Sequence, residues 1–490
     1  MRRRRKREKT RQQPAIPLDA DSFTRFIKNE IKQSYDLVIR PFQGGKPETT
    51  CVLVYIDGMT EMERVNLHIL SPLQSYPFAL TDDNLTDVVS NGELEPLRSR
   101  DDLITSLLSG QSILLLDERG VWTLDTRGWD SRQIEEPATE AVVRGPREGF
   151  VENVQINTTL IRRKIRDPHL SFVLFQKGKR TRKDIILAYI TDVANPDVVT
   201  DITERLEQVD MDVLEDGTLE QLLAEPKLIP FPLMQNTERP DRVASALLEG
   251  QVVILVDGSP SALLAPVTLP MFFQSPEDYY GHWIPGTLIR ILRYIAAFVT
   301  LFLPGLYIAL TSYHQGLIPT QLAISIAETR TGVPFPAFLE ALLMEVTIEI
   351  LREAGVRLPR PVGQAVGIVG GLVIGEAAVT AGIVSPIMVI VVAFTAVSSF
   401  SLPHFGMGIA LRYLRFIVMI FAASLGLYGV LLFFIFLVGY LMRLNSFGVD
   451  YMNPFVSFRL SDWKDIVLRV SWRLMKTRPL LLHPKDPDRK

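Results

Sequence analysis

One acid lies inside an apolar, glycine-rich run. Residues 361–383 read PVGQAVGIVGGLVIGEAAVTAGI, and Glu376 is their only ionisable side chain. A charged group at the centre of a membrane helix costs about 2.5 to 3.5 kcal/mol on insertion scales, so it normally faces a bundle interior or a water-filled path. The run therefore predicts a membrane helix whose acid needs polar surroundings.

The same run divides into two helical faces. Glycines recur every four residues and predict a ridge on which another helix backbone packs closely: Gly363, Gly367, Gly371 and Gly375. At 100° per residue a second stripe is mostly valine and ends in polar atoms: Val362, Val366, Val369, Val373, Glu376 and Thr380. This stripe could line a narrow pore, although a tightly packed helix of any polytopic protein has the same pattern.

A second acidic pattern precedes this run. Glu345, Glu349 and Glu353 are spaced four residues apart, which places them on one face of an amphipathic helix over 334–355. An interfacial helix with a solvated acidic face explains the spacing. A helix that flanks an aqueous path and attracts cations explains it equally.

Charge is segregated along the 490 residues, whose net charge is −3. Charged residues are dense before Trp283, sparse from Leu288 to Met442 and dense again after Arg443. The predicted order is a disordered basic arm (1–22), a first cytoplasmic α/β subdomain (23–143), an Arg-rich connector (144–169), a second cytoplasmic α/β subdomain (170–283), a transmembrane domain of about four to six helices (284–443) and a cytoplasmic amphipathic tail (444–490). The basic arm is local and carries no patterned aromatics, so it favours contact with lipid headgroups over nucleic acid.

The region before the apolar half contains an internal repeat. The run CVLVYI at 51–56 predicts a strand. Its Tyr55 aligns with Tyr189 at an offset of 134 residues. The segments SLLSGQSILLLDERG and ALLEGQVVILVDGSP align at an offset of 140. Two related α/β subdomains follow from these offsets. The first is expected to begin with a helix over 23–39.

An Arg-rich stretch, 144–165, joins the two subdomains. Its arginines could bind phosphate, but pairing with neighbouring carboxylates explains them as well. No phosphate-binding loop, dinucleotide fingerprint, nucleophile elbow or Cys/His metal spacing occurs in the chain. We therefore predict that the protein is not an enzyme and needs no metal or cofactor.

The apolar half predicts several crossings. A first span covers about 288–313, and Arg290 and Arg293 at its start place that end in the cytoplasm. Further runs cover 385–400 and 416–442. A helix over 460–475 would be amphipathic and would dock on the membrane or on the soluble half.

Several motifs resemble the A subunits of GerA-type spore germinant receptors. The stretch 144–150 carries Arg144, Gly145, Pro146, Glu148, Gly149 and Phe150, and Arg162 and Arg163 follow. The runs VDGSP at 256–260 and FQSPEDYY at 273–280 continue the resemblance, whereas Lys164 stands where a third arginine is expected.

The resemblance implies a multi-pass protein of the spore inner membrane in a sporulating Gram-positive bacterium. It further implies a transporter-like B subunit that binds the nutrient, a lipoprotein C subunit, and A subunits that form a homo-oligomeric ring acting as a nutrient-gated channel for monovalent cations. In that setting the valine stripe with Glu376 and Thr380 is predicted to line the pore. The alternative is a scaffold or signalling subunit that relays nutrient binding without conducting ions.

Overall fold

The computed structural model describes residues 16–32, 34–90, 94–128, 136–137, 140, 142–224, 230–358, 370–371, 373–456 and 463–489. Two five-stranded antiparallel sheets with covering helices form the N-terminal half, and helices form most of the rest. This is the α/β half followed by a helical half that the sequence predicts. Most of the basic arm lies outside the described residues.

The first sheet has the strand order β1-β2-β4-β5-β3. Its strands are β1 (Leu37–Gly44), β2 (Thr49–Ile56), β3 (Leu94–Pro96), β4 (Ser112–Leu116) and β5 (Gly120–Leu124). Alternate side chains of β2 enter two separate apolar clusters, Cys51 and Leu53 on one face and Val52 and Val54 on the other. Because both faces of this central strand are covered, its sequence is apolar throughout rather than alternating.

Helices cover both faces of the first sheet. They are α1 (Ala20–Glu30), α2 (Met62–Arg64), a π-helical turn (Val65–Leu70), α3 (Ser71–Ser75), α4 (Asp82–Val88) and α5 (Arg100–Leu108). The predicted helix over 23–39 is wrong at its end, because Tyr35 and Val38 lie beyond α1. Val38 pairs with Tyr55 of β2 instead, so a non-local strand ladder prevails over the helical spacing.

The second sheet repeats the first, with the order β6-β7-β9-β10-β8. Its strands are β6 (Leu170–Lys177), β7 (Lys183–Ile190), β8 (Gln235–Thr237), β9 (Val252–Val256) and β10 (Ala262–Ala265). Cys51 pairs with Leu116 in the first sheet, and Ile185 pairs with Val256 in the second. These pairs are displaced by the same 134 and 140 residues that the sequence repeat gives, so the two subdomains share topology and register.

Helices of the second subdomain are α6 (Val154–Lys164), α7 (Pro196–Gln208), α8 (Asp216–Leu223), α9 (Pro240–Glu249) and the short α10 (Glu277–Tyr280). Helix α6 begins 134 residues after α1 and lies inside the segment expected to be a connector. Leu160 and Ile161 of α6 are buried against Phe172 and Ile186 of the second sheet. The segment 154–164 is therefore the first helix of the second repeat.

The helical half begins with α11 (Trp283–Ser312), α12 (Thr320–Arg330) and α13 (Ala337–Arg357). Residues 370–371 and 373–380 are helical and are called α14. They are followed by α15 (Pro386–Phe400), α16 (Phe405–Leu425) and α17 (Leu427–Leu441). By length and composition α11 and α16 could each cross a membrane, and α15 and α17 are shorter apolar helices. The apolar run 416–442 is not one helix, because Gly426 breaks it at φ 64°.

The C-terminal segment starts with a two-residue hairpin, β11 (Asn445–Ser446) and β12 (Val449–Asp450). The amphipathic helix expected over 460–475 is wrong within the described residues, where turns and a short 3-10 helix (Trp472–Leu474) follow Trp463. The C-terminal segment is held in place by contacts with the second subdomain. Arg478 Nε donates to the Leu248 carbonyl at 2.8 Å, and Arg489 pairs with Glu249 at 2.8 Å.

Candidate functional site in the helical half

A buried ion pair joins two helices of this half. Glu345 of α13 is 0 % exposed and Arg415 of α16 is 1 % exposed, and their charged atoms lie 2.8 Å apart. Arg415 Nη2 also donates to Glu349 Oε1 at 3.2 Å. Helix α13 brings both acids to α16 because residues four apart share a helix face.

Glu349 links this pair to two further arginines. Its carboxylate lies 3.4 Å from Arg412 and 3.7 Å from Arg352. Arg352 lies over the ring of Phe400 at 4.6 Å and donates to Ser399 Oγ at 2.9 Å. We call these five charged residues, Glu345, Glu349, Arg352, Arg412 and Arg415, the charge cluster. It ties α13, α15 and α16 together.

The cluster holds two carboxylates and three guanidinium groups, so its acids are neutralised. Both oxygens of Glu345 and Nε and Nη1 of Arg415 are buried without a hydrogen-bond partner among the described residues. Their contact is therefore an ion pair with incomplete hydrogen bonding. Buried pairs of this kind add little net stability, but losing one partner is strongly destabilising.

The third acid of the predicted face lies apart from the cluster. Glu353 is exposed and pairs with Arg357 on its own helix at 2.6 Å. The acidic face is thus divided into a buried, neutralised part at Glu345 and Glu349 and a solvated end at Glu353. The sequence prediction placed the three acids together and did not identify Arg412 and Arg415 as their partners. The sequence nevertheless carries a signal for these partners, because two arginines inside the apolar stretch 409–421 need acidic or polar neighbours.

Part of the valine stripe lies on α14, whose residues Val373, Glu376 and Thr380 are all exposed. Glu376 makes no hydrogen bond or ion pair that the structure assigns to it within the described residues. Val362, Val366 and Val369 lie outside the described residues. The stripe as far as it is described therefore faces outward from the single chain.

The glycine face is also described only in part, since Gly363 and Gly367 lie outside the described residues. Gly375 is buried, and a Cβ there would lie 3.6 Å from Val389 of α15, whereas a Cβ at Gly371 would meet nothing within 4 Å. The closest approach occurs at Gly370, where a Cβ would come within 2.8 Å of Leu351 on α13.

The Arg-rich motif is tied together in the soluble half. Arg162 is buried and holds Asp36 of the first subdomain through Nε and Nη2, at 3.1 and 3.0 Å. Glu148 pairs with Arg163 at 3.6 Å and with Lys164 at 2.9 Å. The structure thus shows the pairing of arginines with carboxylates that the sequence suggested.

The rest of this motif is packed against the second subdomain. The Pro146 carbonyl accepts from Arg239 at 2.9 Å, and Gly149 and Phe150 are buried. Gly145 has φ 138°, and a Cβ there would lie 2.8 Å from the Tyr280 ring. Arg144 is exposed.

The first helix of the helical half is tied to the segment before it. Asp278 lies 3.2 Å from Arg290 and 2.9 Å from Arg293, and all three side chains are buried. Arg290 also donates to the Asp465 carbonyl of the C-terminal segment. In the described part of the chain no group of three or more His, Cys, Asp or Glu side chains could hold a metal ion.

Comparison with known proteins places these features in a family. Residues 25–481 match the family described as Bacillus/Clostridium GerA spore germination protein. Spore germination protein B1 of Bacillus subtilis (strain 168) is 45 % identical over 468 residues, covering 94 % of this chain and 96 % of its own. Spore germination protein GerLA of Bacillus cereus is 43 % identical over 466 residues, covering 94 % and 95 %.

A solved structure also matches part of the chain. It is the N-terminal domain of the A subunit of the Bacillus megaterium spore germinant receptor GerK3, with 30 % identity and a TM-score of 0.42, covering 52 % of this chain and 98 % of that one. The match to the family over residues 25–481 and the near full-length relatives show that this chain belongs to the GerA spore germination protein family.

Proposed function

We propose that this chain is the pore-forming subunit of a nutrient-sensing germination receptor, and that copies of it assemble as a ring in the membrane. The exposed stripe of α14 faces the centre of that ring. Monovalent cations pass along it when the receptor is activated. A transporter-like B subunit binds the nutrient, and a lipoprotein C subunit completes the receptor.

One observation carries the proposal. Glu376 is exposed on the same helix as Val373, which is 56 % exposed, and α14 belongs to an otherwise apolar run. Lipid accepts the valine but disfavours an ionised carboxylate. A ring of copies around a water-filled path accommodates both, because the valines then form an apolar constriction and the acid lies in water.

The charge cluster has a supporting role in this proposal. Its acids are neutralised by arginines, so Glu345 and Glu349 do not attract permeating cations. They hold α13 against α16, and α13 in turn meets α14 where Leu351 lies next to Gly370. The cluster thus fixes the wall behind the pore helix.

The proposed orientation and location of the chain rest on the charges near the start of α11. Arg290 and Arg293 near the start of α11 favour the cytoplasm for that end of the helix, and the two α/β subdomains precede it. The protein is then a multi-pass component of the spore inner membrane with its N-terminal half in the cytoplasm.

A scaffold or signalling subunit is the second candidate. The neutralisation of Glu345 and Glu349 favours it, because a face expected to attract cations is used for helix packing instead. In this case nutrient binding by a partner is relayed through the chain, and no copy conducts ions.

Ion flux distinguishes the two candidates. The chain is reconstituted in potassium-loaded liposomes, alone and with its partner subunits, and potassium release is followed with an electrode. We expect Val373→Ala to increase release without nutrient, because a smaller side chain weakens the apolar constriction. Val397→Ala on α15, where the valine is 64 % exposed, is the matched control and should leave release unchanged. A monomeric chain with no flux in any preparation would establish the scaffold instead.

A further inference from the structure

The two subdomains of one chain meet at a defined surface of the second. Arg162 of α6 is buried and holds Asp36 of the first subdomain at 3.0 Å. Tyr35 donates its backbone N–H to the Phe172 carbonyl at 3.1 Å, and its hydroxyl lies 3.2 Å from that of Thr158. These residues of the first subdomain therefore lie across α6 and the outer strand β6.

The duplication places a matching surface on the first subdomain. The bounds of α1 and α6 are displaced by 134 residues, and an N-cap side chain begins both helices. Thr24 therefore takes the position of Thr158. Lys28 takes that of Arg162, so the positive charge is kept. Thr158 and Arg162 are buried by the contact between the subdomains, whereas Thr24 is half-buried and Lys28 is exposed. The surface that is covered on the second subdomain is thus open on the first.

An open groove of about 690 Å³ lies at this surface. Residues of α1 and β1 contribute to its lining: Asp21, Thr24, Lys28, Leu37, Ile39 and Pro41. Ile39 is the third residue of β1, as Phe172 is of β6. Both are outer strands, and the edge of an outer strand can pair with a further segment, as β6 does with Ser34. The groove thus combines a cation, an apolar wall and a strand edge, which are the features that hold residues 34–36 on the second subdomain.

The second subdomain carries its own counterpart of the segment that docks. Residues 167–169 precede β6 as residues 34–36 precede β1, and in both segments the first carbonyl accepts from the backbone N–H three residues later, at 3.2 Å. Asp167 therefore takes the position of Ser34, whose hydroxyl accepts from Arg162. A carboxylate at this position is suited to a lysine at the position of Arg162. The segment is exposed or half-buried, so a second molecule can reach it.

A second pair of positions is complementary in charge. Within the chain, Gly58 approaches Thr159 so closely that a Cβ on the glycine would lie 2.4 Å from the threonine hydroxyl. At the offset of 134 residues, Gly58 matches Asp192 and Thr159 matches Arg25. Both of these charged residues are exposed. A contact between two small residues inside the chain thus corresponds to an acid and a base on the surfaces that remain open, and opposite charges favour a specific partner.

We propose that this groove binds the second subdomain of a neighbouring copy of the chain. Residues 167–169 of one copy lie across α1 and β1 of the next, with Asp167 on Lys28 and Asp192 on Arg25. A second copy is the partner because the chain itself carries both sides of the contact. The two sides differ, so each copy binds one neighbour on either side, and such a contact forms a ring when its rotation closes. The inference rests on the ring proposed above and names the surface through which the soluble halves join.

Cysteine cross-linking of the full-length chain tests the proposal. Arg25→Cys and Asp192→Cys are purified separately, mixed, reassembled in liposomes and treated with a short bismaleimide. The native Cys51 is 0 % exposed and should not react. We expect cross-linked dimers in the mixture and in neither variant alone, because the contact joins two different surfaces. Leu67→Cys mixed with Asp192→Cys is the matched control and should give none, since Leu67 is 58 % exposed on the helical turn that covers the opposite face of the first sheet.

A charge exchange distinguishes specific docking from random collision. Lys28→Glu, added to the Arg25→Cys copy, should lower the cross-linked fraction about tenfold, because like charges across an interface are disfavoured. Asp167→Lys, added to the Asp192→Cys copy, should restore it, which would also show that the Lys28→Glu copy is folded. Arg64→Glu, at a side chain that is 48 % exposed on α2, is the control and should leave the fraction unchanged.

The outcomes separate this inference from the proposed function. An oligomeric chain without the cross-link between positions 25 and 192, or a fraction that Lys28→Glu leaves undiminished, would overturn the inference alone. A monomeric chain would overturn both. Cross-linking without potassium release would support the contact and count against conduction. A cross-link from Arg25→Cys to Arg3→Cys of the same chain would show that the basic arm fills the groove, and this too would overturn the inference.

Discussion

Replacing Arg415 by leucine should destabilise the helical half strongly. The substitution removes the guanidinium group 2.8 Å from Glu345 and 3.2 Å from Glu349. Glu349 keeps Arg412 and Arg352, but Glu345 would be left buried with no cation beside it. Removing one partner of a buried pair typically costs about 3 to 5 kcal/mol.

The double variant Glu345→Leu/Arg415→Leu should recover most of that loss. Both charges are then absent, and leucine replaces them in a packed environment. Replacement of a whole buried pair by apolar residues is often neutral or stabilising by about 1 to 4 kcal/mol. The pair Glu353–Arg357 is the control, because it is exposed and the variant Arg357→Leu should cost no more than about 1 kcal/mol.

The assay is reversible unfolding of the purified chain in mixed micelles, with the free energy of unfolding compared among the variants. We expect Arg415→Leu to be far less stable than both the wild type and the double variant. A double variant as unstable as Arg415→Leu would refute this expectation, since the loss would then come from packing and not from an unpaired carboxylate. A loss below about 1 kcal/mol for Arg415→Leu would refute it as well.

Three other changes test the remaining assignments. In the proposed channel, Glu376→Gln should lower the preference for cations over anions, measured by reversal potential on the reconstituted chain, whereas Glu353→Gln should not; equal effects would argue against a pore position. Burial raises the pKa of the Cys51 thiol to about 12, so the native chain should resist alkylation at pH 8 and react only after unfolding; rapid native labelling would contradict this. Arg162→Gln leaves its carboxylate partner buried and unpaired and should destabilise the soluble half by about 3 kcal/mol in denaturant unfolding, and Arg144→Gln at an exposed site should have no effect.

The soluble half could be predicted well where the signal is local. Strand β2 contains the run 51–56 that the sequence indicates and begins two residues earlier, at Thr49, because a short apolar run that stops at a turn has few other structures available. The repeat offsets of 134 and 140 predicted two related subdomains, and the same offsets recur in the pairing register of the two sheets, since duplicated sequences keep the same partners. The end of α1 was missed because the competing strand partner, β2, lies more than ten residues away.

The charge cluster could be predicted only in part. Glu345 and Glu349 share a face by their spacing alone, but their partners come from α16, more than 60 residues later in the chain. Arg412 and Arg415 stand in an apolar run whose average hydropathy hides them. Which of the three acids is buried depends on where α13 crosses α16, and no pattern within one helix contains that information.

The duplication has a consequence for how the two halves of the soluble region evolve. The offset between repeats rises from 134 at β2 and β7 to 140 at β4 and β9, so the second crossover is longer by six residues. In that crossover α8 supplies Asp216 and Glu220 to a cavity of about 430 Å³ that it shares with His404 and Gly406 at the start of α16. The second repeat must therefore fit the start of α16, whereas none of the described residues up to 128 lines this cavity. Across related chains, substitutions and length changes should accumulate faster in the first crossover than in the second.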